Sequence, residues 1–237
     1  MELNIVRNAP DWVLKTTPSV TVDFQKIEPC KIEGDGSDYV VLWNAAKEII
    51  DVPGLILEIG VRVGMGSFVM MQACVENEDT DRAFFGVDCY GSWSNNYPNL
   101  MKTYAKKTLY EYAYYSNLDY TLIELEDHEF FARYSDGIPL YNRTVWESQD
   151  YKPEDYEWKR IVNEYALVHL DGPHRMLDVI SESNFFMPRM SIGGIIVYDD
   201  IDKPEKYNHD DFEPLLFQSG FELLEKQGSK ASYRRVK

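Results

Sequence analysis

The sequence predicts an α/β fold, a mostly parallel β-sheet covered by helices on both faces. Three observations carry this expectation. Short apolar runs at Leu55–Ile59, Ala83–Val87, 120–125, 166–170 and 192–198 are continuous rather than alternating, as strands buried on both faces are. Helix-period patterns lie between most of them, which is the alternation of a parallel sheet with crossover helices. Four of the runs stop at a residue suited to a strand end facing a ligand: Gly60, Asp88, Asp171 and Asp199.

The elements follow in order. Residues 1–36 carry Pro10, Pro18 and Pro29 and end in Gly34-Asp35-Gly36, so they read as an arm with short extended pieces such as 19–24. From Ser37 the apolar residues Tyr39, Val40, Leu42, Trp43, Ala46, Ile49 and Ile50 recur at helical spacing, with Ser37 as N-cap and Pro53-Gly54 as the stop. The strand Leu55–Ile59 then meets a glycine-rich turn and a helix over 68–75. Residues 89–119 hold a polar turn at 91–99 and a tyrosine-rich helix. Residues 127–160 have no clear periodicity and precede the fourth strand, which suits a lid or insertion. Twelve of the 17 tyrosines fall between 90 and 156, and the plain alternative for them is packing under loops or at an oligomer contact. The tail, 221–225 and 232–236 across Gly228, reads as an antiparallel hairpin closing the sheet.

Composition bounds the function. The chain has 237 residues, with 40 acidic against 24 basic side chains, a net charge of −16. So acidic a surface repels phosphate, which argues against nucleic acid or an anionic membrane as the main partner. Three cysteines, Cys30, Cys74 and Cys89, without CxxC spacing give no disulfide framework or cysteine zinc site. With no signal-peptide pattern and no membrane-length apolar window, a cytoplasmic protein is expected.

The chemistry gathers at the strand ends. Glu58-Ile59-Gly60-Val61-Arg62-Val63-Gly64-Met65-Gly66-Ser67 is a strand, a glycine-rich turn and a helix start. Its glycines have the wrong spacing for a dinucleotide fingerprint, and Gly66 stands where a P-loop needs lysine. Glu58 before the first glycine and Asp88 after the next strand instead suit the loop that holds S-adenosylmethionine (SAM). That molecule has an ammonium, a sulfonium and two ribose hydroxyls but no phosphate, so carboxylates are its natural partners. Asp171-Gly172-Pro173-His174 and Tyr198-Asp199-Asp200 add three carboxylates and a histidine at neighbouring strand ends. Asp171, Asp199 and Asp200 are hard oxygen ligands of the kind Mg²⁺ takes, or caps of the helices that follow.

On these motifs, from about Gly54 to Asp200, the chain resembles the macrocin O-methyltransferase group of class I SAM-dependent methyltransferases, which modify sugar hydroxyls of natural products. The resemblance implies a Rossmann-like class I methyltransferase fold with a mostly parallel seven-stranded sheet and an antiparallel C-terminal hairpin. It divides the chain into an arm, 1–36, and a methyltransferase domain, 37–237. It also implies that Glu58, Gly60, Gly64, Ser67 and Asp88 hold SAM, that Asp171, Asp199 and Asp200 hold Mg²⁺, and that His174 is the general base, Asp171 acting with it in catalysis.

Transfer to an alcohol needs an aligned acceptor and a route for its proton, and His174, with an ordinary pKa near ~6.5, suits the second task. The expected acceptor is a hydroxyl of a small molecule such as a sugar or sugar-bearing product, on a chain that can also form homo-oligomers. The alternatives are a phenolic or catechol acceptor, a nucleotide-dependent oxidoreductase, and a binding protein that keeps the fold without catalysis. Of the other histidines, His169 reads as a buried strand residue, His128 as a neighbour of the adenine position, and His209 as a surface residue.

Overall fold

The computed structural model describes residues 9–16, 18–22, 30–34, 36–90, 97–141, 159–173 and 175–237. Strands β1 (Ser19–Val22) and β2 (Cys30–Glu33) pair antiparallel in the N-terminal segment. The main sheet contains β3 (Leu55–Ile59), β4 (Ala83–Val87), β5 (Asp119–Ile123), β8 (Tyr165–Leu170), β9 (Met190–Tyr198), β10 (Phe221–Gln227) and β11 (Lys230–Arg235). Their order is β10-β11-β9-β8-β3-β4-β5, with β11 antiparallel to both of its neighbours and the central strands parallel. This is the seven-stranded Rossmann-like sheet with an antiparallel hairpin that the sequence predicts.

Helices α1 (Tyr39–Glu48), α2 (Met65–Glu76) and α3 (Tyr97–Tyr115) cover one face. The other carries α4 (Asp127–Arg133), α5 (Met176–Phe186) and α6 (His209–Gln218). All five residues of β3 and all five of β4 are buried, because each strand is sandwiched between the helix layers. That explains their unbroken apolar runs. Val13 and Ile32 from the N-terminal segment join the α1–α2 core, where Trp12 packs on Trp43 and Phe68.

Two expectations change in detail. The cap of α1 is Asp38, not Ser37; Asp38 adopts a left-handed conformation, and its carboxylate accepts from the Ser229 N–H across the chain at 2.9 Å. The segment 127–160 is not uniformly irregular. It contains α4 and a two-stranded antiparallel pair, β6 (Ile138–Tyr141) with β7 (Lys159–Val162). No helix among the described residues is long and apolar enough to cross a membrane.

Candidate active site

The sheet reverses its order between β3 and β8: from β3 the chain next builds outward to β4 and β5, while β8 and β9 lie on the other side. Ligands bind open parallel sheets at such a switch, beyond the carboxyl ends of the strands. The register fixes what stands there. Val87 is level with Ile59, Ile59 with Leu170 and Leu170 with Tyr198, so the next residues, Asp88, Gly60, Asp171 and Asp199, form one row across the mouth of the sheet. Backbone bonds Gly60 N–H to Val87 (2.9 Å), Asp171 N–H to Ile59 (2.9 Å) and Asp199 N–H to Leu170 (3.1 Å) carry the ladder into this row. At ~4.8 Å between strands, Asp88 and Asp171 are separated by about 10 Å. Tyr198 faces Ala231 in the antiparallel partner, which puts Lys230 at the end of the row beside Asp199.

Glycine is required at the centre. Gly60 has φ +84°, and a methyl group there would lie 2.0 Å from the Asp171 carbonyl oxygen. The two chains therefore cross at a distance no side chain permits.

Asp88 is half-buried, and its carboxylate accepts from the N–H groups of Arg62 and Tyr90, each at 2.8 Å. Burial raises its pKa above the ordinary range, with the backbone N–H groups of Arg62, Tyr90 and Val61 opposing that shift. The Tyr90 hydroxyl donates to the Arg62 carbonyl at 3.0 Å, closing a clamp on the glycine-rich turn. A carboxylate has about four acceptor sites, so Asp88 keeps capacity for a ribose hydroxyl donor. The donor set fits SAM at this position.

Glu58, Ser67 and Gly64, expected beside SAM, face inward. Glu58 is only 2% exposed; it accepts from Ser67 N–H (2.9 Å) and Ser67 Oγ, and its other oxygen meets His169 Nδ1 at 2.8 Å. The Glu58 carboxylate thereby fastens the start of α2. Gly64, at φ +94°, is the residue before α2, and a methyl group on it would lie 2.8 Å from Leu109. These residues shape the turn.

The carboxylates expected to hold Mg²⁺ are arranged differently from a metal site. Asp199 Oδ1 is 2.5 Å from the Lys230 ammonium, and Asp200 is gripped by both Lys203 and Lys206. Burial pushes the Asp199 carboxyl up, but Lys230, a hydrogen bond with Asp171 and His169 outweigh it and hold the group well below the usual carboxylate range. No cluster of three potential metal-ligating side chains occurs among the described residues. With two of the three carboxylates occupied by ammonium groups, this set does not fit a divalent ion.

His174, the expected general base, lies outside the described residues, as does the turn 91–96. His169 is fully buried, as predicted, with its Nδ1 against Glu58, and His128 is exposed. His209 corrects the expectation of a surface residue: it is 1% exposed, with Nε2 2.7 Å from the Tyr233 hydroxyl. Arg175 pairs with Asp178 at 2.7 Å on the first turn of α5. Sequence reading missed Glu182, a fully buried carboxyl behind the Asp171 loop. Burial, reinforced by Asp127 and Asp178, raises its pKa well above the ordinary value.

A family model described as a methyltransferase domain matches residues 57–201. No curated protein sequence matches the chain. Among solved structures, CalS11, a TDP-rhamnose 3'-O-methyltransferase of calicheamicin biosynthesis, superposes with a TM-score of 0.54 at 17% identity, covering 83% of this chain and 78% of that one. The O-methyltransferase TomG from Streptomyces achromogenes, involved in tomaymycin synthesis and solved with SAM, gives 0.52 at 13% identity over 83% and 78%. At these identities the likeness is one of fold.

Proposed function

We propose, because the chain belongs to the methyltransferase-domain family and is a SAM-dependent methyltransferase, that its acceptor is a hydroxyl of a small molecule such as a sugar or sugar-bearing natural product. The observation that carries the reading is the row Asp88, Gly60, Asp171 and Asp199 at the switch point of the sheet. One end offers a carboxylate to the ribose of the methyl donor. The other, about two strand spacings away, offers carboxylates to the hydroxyls of an acceptor.

SAM supplies an electrophilic methyl on a sulfonium. In the transfer the acceptor oxygen forms a bond to that carbon as the sulfur–carbon bond breaks, the sulfur keeps the electron pair, and the acceptor's proton leaves. Asp88 holds the donor, Gly60 lets the chains approach closely, and Asp171 accepts a hydroxyl hydrogen bond that orients the acceptor. His174, three residues further on, takes the proton. Orientation of this kind and general-base help of about 10²–10⁴-fold are the effects such side chains provide. The macrocin-type likeness of the motifs supports a sugar acceptor over a phenolic one. In this reading residues 1–36 form an arm, 37–237 the methyltransferase domain, and 127–160 a lid or insertion within it.

The test is a methyl-transfer assay with labelled SAM against a panel of deoxysugar-bearing and catechol acceptors, run beside His174→Ala. Turnover on a sugar hydroxyl, reduced at least 100-fold in the variant with SAM affinity unchanged, is expected. Transfer to catechols alone, or undiminished turnover in His174→Ala, would overturn the acceptor and the base respectively.

A further inference from the structure

Lys230 is a fully buried cation at the mouth of the sheet. It is 0% exposed, its Nζ lies 2.5 Å from Asp199 Oδ1, and it sits 5.3 Å from the centre of the Tyr39 ring. Burying an ammonium is unfavourable unless an anion and further polar or aromatic contacts compensate it. Here both are present, and the backbone holds the lysine in place. The turn before it is pinned to the N-terminus of α1 by the Ser229 N–H to Asp38 bond, and to the far side by Ile201 N–H to the Ser229 carbonyl at 3.0 Å. A methyl group on Gly228 would lie 2.2 Å from Asp38 Oδ2, so the turn approaches that carboxylate more closely than a side chain at this position would permit.

The charges balance locally. Asp199 faces Lys230 and Asp200 faces both Lys203 and Lys206, three ammonium groups set against two of the three carboxylates at one corner of the sheet. Mg²⁺ needs carboxylate oxygens at ~2.0–2.1 Å in near-octahedral geometry. Asp199 Oδ1 is already in contact with Lys230, and both Asp200 oxygens are taken by lysines.

We infer that this chain works without a divalent metal, and that Lys230 is a positioning residue whose ammonium, set against Asp199 Oδ1, stands where such an ion would otherwise meet that carboxylate. The inference rests on the methyltransferase reading only for its consequence in turnover; the metal question is answered by binding alone.

The experiment titrates the full chain with Mn²⁺, followed by the ion's spin-resonance signal, for the wild type, Lys230→Gln and Lys230→Arg, and for Lys203→Gln/Lys206→Gln on the exposed side. Binding of S-adenosylhomocysteine (SAH) by each variant, read by thermal shift, reports separately on folding and on the methyltransferase reading. The expected result is no Mn²⁺ binding by the wild type or by Lys230→Arg, at least a tenfold gain in Lys230→Gln or in the double variant, and wild-type turnover indifferent to EDTA. Stoichiometric Mn²⁺ binding by the wild type overturns the inference, and so does EDTA-sensitive turnover restored by Mg²⁺. Failure of every folded variant to gain Mn²⁺ affinity overturns the assignment of the lysines. Loss of SAH binding by the wild type would instead sink the proposed function and leave the metal result standing.

Discussion

Asp88→Asn tests the donor half of the site most directly. The wild-type carboxylate accepts two backbone N–H groups, from Arg62 and Tyr90 at 2.8 Å each, one on either oxygen. Asparagine keeps the shape but has a single acceptor, so one of those N–H groups must face an NH₂. An unsatisfied donor in a half-buried setting costs about 2 kcal/mol. In a chain of this length that is a fall of about 6 °C in melting temperature. The charged acceptor for the ribose is lost as well, an interaction of about 1.5–3 kcal/mol. That corresponds to a roughly 10–100-fold weaker Kd. Calorimetry with SAH and thermal unfolding without ligand read the two effects independently. Because burial raises the Asp88 carboxyl above the ordinary range, SAH affinity in the wild type should begin to fall at a higher pH than for a solvated aspartate, and that pH dependence should vanish in the variant. SAH affinity within twofold of wild type, together with the lower melting temperature, would refute the ribose assignment while leaving the clamp intact. An unchanged melting temperature would refute the clamp.

Two further outcomes are expected. Gly60→Ala places a methyl group 2.0 Å from the Asp171 carbonyl in a backbone conformation with φ +84°, so strain and overpacking should together destabilise the protein by about 3–5 kcal/mol in urea unfolding; a loss under 1 kcal/mol would mean the crossing is looser than described. For pH, burial lowers the His209 pKa from the ordinary histidine value of 6.5 to about 4. The unfolded chain therefore binds more protons within that window. The stability of neutral His209 is fully present above the unfolded value and is lost as pH falls through the folded one, about 3 kcal/mol in all. His209→Gln should flatten that part of the stability profile, and an equally steep acid limb in the variant would contradict it.

Much of the fold was legible because buried parallel strands leave a strong local mark. Leu55–Ile59 and Ala83–Val87 were predicted with their observed limits, since continuous apolar runs stopped by Gly or Asp have few other readings. Strands bounded by polar neighbours shifted by one or two residues, as β5 and β9 did. His209 was misread because Asp210 and Asp211 beside it look like a solvated helix start, whereas its own face packs among Tyr198, Phe212 and Tyr233.

The sequence by itself determined the layered sheet and the residues that close its strands, because burial and chain reversal are written in local composition. It could not determine which way Glu58 points, since a carboxylate in a strand serves a ligand or a neighbouring helix with the same letters; only α2 lying over β3 turns it toward Ser67. Nor could it place Lys230. In a C-terminal hairpin a lysine reads as solvent-facing, but insertion of β11 between β9 and β10 pairs both of its edges and aligns the ammonium with Asp199, some thirty residues earlier in the chain. Pairing between distant strands is a property of the assembled sheet, and it decides which charges meet.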